Sequence, residues 1–462
     1  MLHRIPPGPR GHLFGLTLAR RLATDPLNFI TEVGRTYGDL AFFRMGPVRA
    51  YLVNHPDLIR EVLVTKGKQF YKEPKSLDTL RQVDGEGLVI TEGEKWLRQR
   101  RLLQPAFHAR RMGRYAEAIV ERTQHMLAGW QPGQSLNIVD EMTHLTLEII
   151  AKVFYDTALT GRAAQLGEAV RVLSQAFYNE VTTLVRLPDW LPLPAKRRKR
   201  WAIATLDTLI REIIRERRAS GQDHGDLLSM LLLAVDEEGD GTGMTDEQAR
   251  DEAVTMFNAG HDSTAAALAW IWYLVSLHPE VETTLIEETQ RVLGDRPAMA
   301  DDLPNLVYTS SVVHESLRLY PPVWALFARV PQADVELGGY TVPAGSWVYI
   351  FPWVTQRDPR FFADPERFDP GRFAPERADQ IPQYAWIPFG GGPHVCIGQS
   401  LAVNEMVLIV ATILQKFRLK LAPDQPREVV PEPLLAIRPK GGLRMVVQAA
   451  KPVQVLCHGE TS

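Results

Sequence analysis

Apolar residues recur along this chain with two different spacings, and each spacing predicts its own kind of element. Alternation runs through Leu40-Ala41-Phe42-Phe43-Arg44-Met45 and Val48-Arg49-Ala50-Tyr51-Leu52-Val53. Gly46-Pro47 separates the two runs, so the stretch reads as a β-hairpin. From Pro56 to Ile214 the spacing is mostly helical, broken by loops that carry proline and glycine. Thr245-Asp246-Glu247-Gln248 makes a capping box, opening a helix that can run to His278 before Pro279 stops it. Such a helix is roughly 50 Å long. After Pro321 the pattern changes to short strands, over Val335 to Val342 and Ser346 to Phe351, followed by a proline-rich meander. An apolar helical stretch covers Gln399 to Leu414, and hairpin-like strands close the chain between Leu434 and Val447. The expectation is a mainly α chain with a smaller β-rich lobe, an α+β fold in one domain over 1–462. Strands fall near 36–55, 325–352 and 430–450, and helices over 56–320 and 397–416.

Bulk properties narrow the class. A chain of 462 residues exceeds the size at which one core usually stops growing, which is why two lobes are expected. The net charge of −3 excludes a general nucleic-acid binder. Only two cysteines occur, Cys396 and Cys457, too far apart for a C-x-x-C site and too few for a disulfide framework, so a cytoplasmic setting fits. The start Met1-Leu2-His3-Arg4-Ile5-Pro6-Pro7-Gly8-Pro9 has no apolar leader segment. The most apolar run, Ala265 to Leu277, is shorter than the roughly 20 residues of a membrane span and reads as a buried helix. Gly241-Thr242-Gly243 superficially resembles a phosphate-binding turn, but no strand precedes it.

The chemistry concentrates at Pro388-Phe389-Gly390-Gly391-Gly392-Pro393-His394-Val395-Cys396-Ile397-Gly398. One cysteine sits after a glycine-rich turn and at the start of a helix, where amide dipoles and free N–H groups favour a thiolate and lower its pKa. The glycines let backbone donors approach the sulfur. A lone, well-donated thiolate suits an iron held by one sulfur. A buried structural cysteine in a glycine turn is the plain alternative. Phe389, Gly392, Cys396 and Gly398 resemble the haem-binding signature of the cytochrome P450 family, Phe-x-x-Gly-x-x-x-Cys-x-Gly. The resemblance covers nearly the whole chain. It implies a fold with a long central helix and haem b (iron protoporphyrin IX) between the lobes, Cys396 as axial ligand and O2 as co-substrate.

Within the long predicted helix, Ala259-Gly260-His261-Asp262-Ser263-Thr264 puts two small residues beside an acid and hydroxyls. The glycine lowers helix stability by roughly 1 kcal/mol against alanine, and space for a flat ligand is the expected return. The segment resembles the family's oxygen-activation motif Ala/Gly-Gly-x-Asp/Glu-Thr. That implies proton delivery by Asp262 and Ser263 during O–O cleavage, with Thr264 as a partial substitute. Serine replaces the usual threonine, which frees the hydroxyl's rotamer. Glu315-Ser316-Leu317-Arg318 places opposite charges on one helix face, a pattern worth little alone. It resembles the family's Glu-x-x-Arg pair, which implies a structural lock with an arginine of the meander. Arg367 and Arg372 are the candidates, and Phe368-Asp369-Pro370-Gly371-Arg372-Phe373 resembles the family's Phe-x-Pro-x-Arg-Phe segment, which implies Arg372. By the same resemblance Trp96, Arg100, Arg329 and His394 contact the haem propionates, although each alone is as readily a surface group.

The resemblance also implies a pocket of Val83, Leu88, Val89, Phe177, Val181, Phe257, Ala259, Val323, Leu326 and Leu435, with plain core packing as the alternative for each. All are apolar, which points to a fatty acid, terpenoid or similar lipid substrate. No Gly-x-Gly-x-x-Gly after a strand and no ferredoxin-like cysteine set occur, so electrons come from outside. A ferredoxin or flavodoxin with its reductase, drawing on NAD(P)H, is the expected source, docking on the basic group Arg98, Arg101, Arg110, Arg111 and Arg114. Lys196-Arg197-Arg198-Lys199-Arg200 follows Trp190-Leu191-Pro192-Leu193-Pro194. It reads first as a solvated helix start, and secondly as peripheral membrane contact near 190–200. A monomeric, bacterial-type enzyme without a transmembrane anchor is the form expected. A peroxide-driven haem-thiolate enzyme and a non-catalytic haem sensor are the rivals, and the acid–alcohol pair weighs against both.

Overall fold

The computed structural model describes residues 5–108, 111–156, 163–183, 188–236 and 241–450. Arg110, Cys457, the first four residues and the acidic stretch just after Asp236 lie outside them. The chain opens with α1 (Leu16–Thr24), α2 (Pro26–Tyr37) and the hairpin β1 (Leu40–Met45) and β2 (Val48–Val53), paired antiparallel as expected. Then follow α3 (Pro56–Arg60), a π-helical turn at Glu61–Thr65, β3 (Phe70–Lys72), α4 (Pro74–Asp84) and α5 (Gly93–Leu103). The helical bulk comprises α6 (Met112–Ala128), α7 (Ile138–Tyr155), α8 (Ala163–Thr182), α9 (Pro194–Ser220) and α10 (Leu227–Leu233). It continues in α11 (Asp246–Leu277), α12 (Pro279–Leu293) and α13 (Val307–Leu319), with the short strand β4 (Ser135–Asn137) before α7. The β-rich part holds β5 (Arg329–Pro331), β6 (Val335–Leu337), β7 (Tyr340–Val342) and β8 (Trp347–Ile350). After α14 (Pro352–Thr355), α15 (Pro375–Ala378) and α16 (Gln399–Lys416) the chain ends in β9 (Phe417–Leu421), β10 (Pro431–Pro433), β11 (Ile437–Pro439) and β12 (Arg444–Ala449).

α11 is the axis of the helical part. Thr245 Oγ1 accepts the N–H of Gln248 and the Gln248 amide oxygen accepts the N–H of Thr245, the capping box read from the sequence. Past its first turn the helix is buried along most of its length, as its poor amphipathicity requires, and it opens at Ala259. Its far end is clasped by Trp270, stacked on Tyr320 at 3.9 Å and 4°. No helix among the described residues is long and apolar enough to cross a membrane.

The larger sheet runs in the order β1-β2-β8-β5-β3. β3 and β4 lie inside the stretch expected to be helical. They are three residues each, too short to set up a periodicity of their own, and exist only because distant strands receive them. Tight turning at Gly338-Gly339 splits the expected Val335–Val342 strand into the hairpin β6–β7. The closing strands also differ from a simple hairpin: β11 pairs with β10, while β12 pairs with β4 and β9.

One core residue of α16 carries a testable consequence. Glu405 is buried, its Oε1 has no partner, and desolvation pushes its pKa up from 4.5 to about 8. Between those values the folded state holds a proton that the unfolded state has lost, so stability falls as pH rises through that window. Glu405→Gln is therefore expected to leave the melting temperature nearly unchanged at pH 5 and to raise it by a few degrees at pH 8. Thermal unfolding at both pH values checks this, and equal midpoints at pH 8 would contradict it.

Candidate active site

The cysteine loop is built by packing against the π-helical turn. Gly390 and Gly392 have φ of 72° and 68°, and a Cβ on Gly392 would lie 2.4 Å from the Leu63 carbonyl oxygen. A Cβ on Gly391 would meet the Tyr384 ring at 2.7 Å. By contrast, a Cβ on Gly398 would sit 4.0 Å from the Cys396 sulfur, in ordinary contact. The glycines thus serve the turn's close approach to Leu63 and Tyr384, and access of donors to sulfur does not require one at Gly398. The Cys396 N–H donates to the Phe389 carbonyl at 3.0 Å and closes the loop.

Cys396 is accessible although it lies among protein groups. Burial of its sulfur raises the thiol pKa, opposed by the Gly398 N–H and the Arg100 charge. This reverses the expected sign: the donors are present, but desolvation outweighs them. Arg100 Nη1 donates to the Val395 carbonyl at 2.8 Å, one residue from the sulfur.

Around the same loop the structure collects positive charge. The Trp96 and His394 rings pack with centroids 4.1 Å apart, tilted by 40°. Burial first, then Lys72, Arg329 and Arg100, push the His394 pKa down to about 3. Lys72 is the residue that sequence reasoning missed. The β3–β5 register sets it directly opposite Arg329, two like charges on facing strands. Burial and Arg329 lower the Lys72 pKa to about 8 against the opposing charge of Glu92, and among the described residues its ammonium donates to the Val89 and Thr91 carbonyls, at 2.8 and 3.1 Å. Among the described residues neither Lys72, Arg100 nor Arg329 forms an ion pair with a carboxylate. Nothing local in the sequence marks Lys72, because β3 is defined only by its pairing.

Each face of α11 has a separate task, since residues four apart share a face. Ala259 and Ser263 form the open one: Ala259 is exposed, and Ser263 Oγ donates to the Ala259 carbonyl at 2.9 Å. Gly260 does not provide the expected gap for a flat ligand. Its Cβ would lie 2.6 Å from Ile150 Cδ1, so the glycine lets α7 approach. Thr264 shares that packed face, is buried and donates to the Gly260 carbonyl at 3.0 Å, so it does not stand beside Ser263 as a substitute. Phe257 and His261 point into the core, where Phe257 packs between Tyr155 and His261. Burial lowers the His261 pKa to about 4, so its ring is neutral. Asn258 and Asp262 line a cleft, and Asp262 is ion-paired with Arg438 of β11.

The Glu315–Arg318 pair lies fully buried, with bonds of 2.7 and 2.8 Å. Arg318 also donates to the carbonyls of Gln356, Pro365 and Arg367. Arg372 Nε stands 3.4 Å from Glu315 Oε1, whereas Arg367 contributes only its carbonyl to Arg318. Gln356 accepts the Ile387 N–H at 2.8 Å, which ties this cluster to the cysteine loop.

Of the expected pocket, Val83, Phe177 and Leu435 line a small cleft of about 30 Å³ between α4, α8, α9 and α11. Val89 packs with Phe177 and Phe327 on the small cluster of Leu77, Leu80 and Ile90. Leu88 is core, its N–H donating to Glu252 at 3.0 Å, and Phe257 is core as described. Val181 contributes a carbonyl to Lys75, Leu326 packs on the core of the larger sheet, and Val323 is exposed outside the cleft. The loop after α4 is fixed to α11 by Asp251 and Glu252, which accept the N–H groups of Glu86 and Leu88.

The two surface readings change as well. Arg101 is bound bidentately by Asp236, and Arg98 donates to Thr242 and Gly243, so neither is a free docking cation. In the basic run, Lys196 pairs with Glu180 and Asp189, Lys199 with Glu180, and Arg198 with Glu168. Those contacts spend most of the positive charge that a lipid surface would need.

The model of the Cytochrome P450 family matches residues 6–445. The chain is 40% identical to a cyclooctat-9-en-7-ol 5-monooxygenase of Streptomyces melanosporofaciens, over 89% of this chain and 88% of the relative. It is 35% identical to a pentalenene oxygenase of Streptomyces avermitilis, over 94% of this chain and 96% of the relative. A cyclooctatin synthase of Streptomyces melanosporofaciens is also 35% identical, over 96% and 95%.

Proposed function

The chain belongs to the cytochrome P450 family, and from that premise we propose how its own residues serve the haem- and O2-dependent monooxygenation of an apolar terpenoid. When bound, haem with one thiolate ligand supplies the redox chemistry: O2, two electrons and two protons convert a substrate C–H to C–O–H and release water. Cys396 would hold the iron. Lys72, Arg100, Arg329 and His394, with Trp96, would receive the propionates. The observation that carries this reading is Lys72 facing Arg329 across two strands beside Arg100, with Glu92 the one carboxylate acting on Lys72 and Arg329 and no ion pair formed by either among the described residues. Glu92 offsets only part of the charge of Lys72, Arg100 and Arg329, and two carboxylates on one flat group would balance the rest.

Ser263 acts at its Oγ–H. Sharing its face with exposed Ala259, the hydroxyl can leave the Ala259 carbonyl and pass a proton into the site. Asp262, held by Arg438, is the acid behind it. Ser263→Ala is expected to cut product formed per NAD(P)H by roughly tenfold or more, within the range of a positioned proton donor, while peroxide release rises. Unchanged coupling would assign the proton to water.

Electrons arrive from a ferredoxin or flavodoxin with an NAD(P)H-dependent reductase. The Gly241-Thr242-Gly243 turn is no nucleotide site, since its carbonyls hold Arg98. The terpenoid class rests on the apolar cleft and on the terpenoids that its Streptomyces relatives are named for oxidising. The test is incubation with isotopically labelled O2, a ferredoxin, its reductase, NADPH and cyclic terpenes. One labelled oxygen in the product, dependent on the reductase, is the expected result. Equal turnover with hydrogen peroxide alone would overturn the electron-transfer reading.

A further inference from the structure

Asp262 is a buried acid that is not free to act. It lies against Arg438 of β11, and both members of the pair are buried. Beyond that ion pair, neither Asp262 oxygen nor Arg438 Nε has a hydrogen-bond partner among the described residues. A carboxyl group that passes a proton on has first to take one up, and a guanidinium beside it favours the ionised form. The contact that positions Asp262 therefore also blocks it. Release needs a second seat for the arginine, because a buried guanidinium left without a carboxylate is strongly unfavourable.

The strand register supplies that seat. In the β10–β11 hairpin Glu432 stands directly opposite Arg438. Directly opposed residues of an antiparallel pair project to the same face, with Cβ atoms about 5 Å apart. Glu432 is half-buried and forms no ion pair among the described residues. The other charges acting on Arg438 are Asp140 of α7 and Arg171 of α8. Asp140 is the poorer seat, since it already accepts from the Asn137 amide at 2.7 Å and lies in the field of Arg171. The backbone around Arg438 is pinned. Trp324 Nε1 donates to the Leu434 carbonyl, Trp270 Nε1 to the Ile437 carbonyl and the Ile437 N–H to the Pro322 carbonyl, each at 3.0 Å. An exchange of partners is thus a rotation of one long side chain and leaves the hairpin in place.

We infer that Arg438 is a positioning residue with two seats, Asp262 and Glu432, and that its passage to Glu432 frees Asp262 to relay a proton. The inference rests on the monooxygenase reading and adds two residues of the closing strands to it. Once freed, Asp262 takes a proton from water and gives it to Ser263 Oγ as that hydroxyl passes its own into the site. Charged again, Asp262 recaptures Arg438.

Crystals of Asp262→Asn and Glu432→Gln holoenzyme test the two seats directly. The guanidinium is expected on Glu432 in the first variant and on Asp262 in the second. Melting temperatures give a reading independent of turnover. Each single variant leaves Arg438 one carboxylate and loses a few degrees at most, whereas the double variant strands it and loses more than the sum. A double variant that fails to fold while both single variants do is the same result in stronger form. In turnover, Glu432→Gln is expected to lower kcat about 5- to 10-fold at unchanged KM and to raise peroxide release, with Glu432→Asp restoring part of the rate. A guanidinium turned to Asp140 or to solvent in Asp262→Asn, additive melting shifts, or wild-type coupling in Glu432→Gln overturns the inference. Loss of turnover in every preparation, wild type included, would instead sink the monooxygenase reading, and crystals and melting curves would still decide the seats.

Discussion

Cys396→Ser protein is expected to fold, yet to lack the reduced carbon-monoxide band of thiolate-ligated haem and to lose monooxygenation below detection. The loop geometry does not depend on the sulfur. It depends on the positive φ of Gly390 and Gly392, the close approach to Leu63 and the backbone bond from residue 396 to Phe389, all of which serine keeps. What serine cannot supply is an anionic, polarisable ligand near neutral pH. The thiol already ionises against a desolvation penalty, and Arg100 and the Gly398 N–H only partly offset it. Binding to iron(III) removes that penalty by pairing the charge. A hydroxyl, far less acidic, gains too little from the same donors. Difference spectroscopy with product analysis checks this, and normal turnover in the variant would contradict it.

The second large effect is expected at Glu315→Ala. Both members of the Glu315–Arg318 pair have no exposed surface, so removing the carboxylate leaves a guanidinium buried without its charge partner. Breaking such a pair costs about 3–5 kcal/mol, a large part of the stability of most domains. The loss is local as well as global. Glu315 also accepts the Asp369 N–H at 2.9 Å and faces Arg372, while Arg318 gathers three carbonyls of the meander. That meander reaches the cysteine loop through Gln356 and Ile387. The variant should therefore be obtained largely free of haem or insoluble, and Glu315→Asp should recover only part of the loading. Haem content per protein is the readout, and a fully loaded, stable alanine variant would refute the structural role.

Legibility in the sequence followed the range of the interactions. The hairpin at Gly46-Pro47, the capping box at Thr245 and the cysteine turn are local, so a few consecutive residues specify each. Arg372 could be preferred over Arg367 because Phe368 to Phe373 resembles the family's Phe-x-Pro-x-Arg-Phe segment, itself a short local motif. What depended on facing was misjudged. Ala259 and Gly260 are equally small, and only the approach of Ile150 decides that the glycine serves helix packing and the alanine opens the site. Arg98 and Arg101 read as surface charge because Asp236 and Thr242, their partners, lie more than a hundred positions away. Lys72 was invisible for the same reason, since strand β3 has no pattern until β5 pairs with it. The sign of the Cys396 shift failed differently: the donors were foreseen, but the extent of burial belongs to the folded molecule.

X-ray absorption at the iron edge of the purified holoenzyme tests the central claim most directly. The account predicts one iron–sulfur scattering path beside the porphyrin nitrogens, absent from Cys396→Ser protein. A wild-type spectrum fitted by nitrogen and oxygen neighbours alone would contradict it.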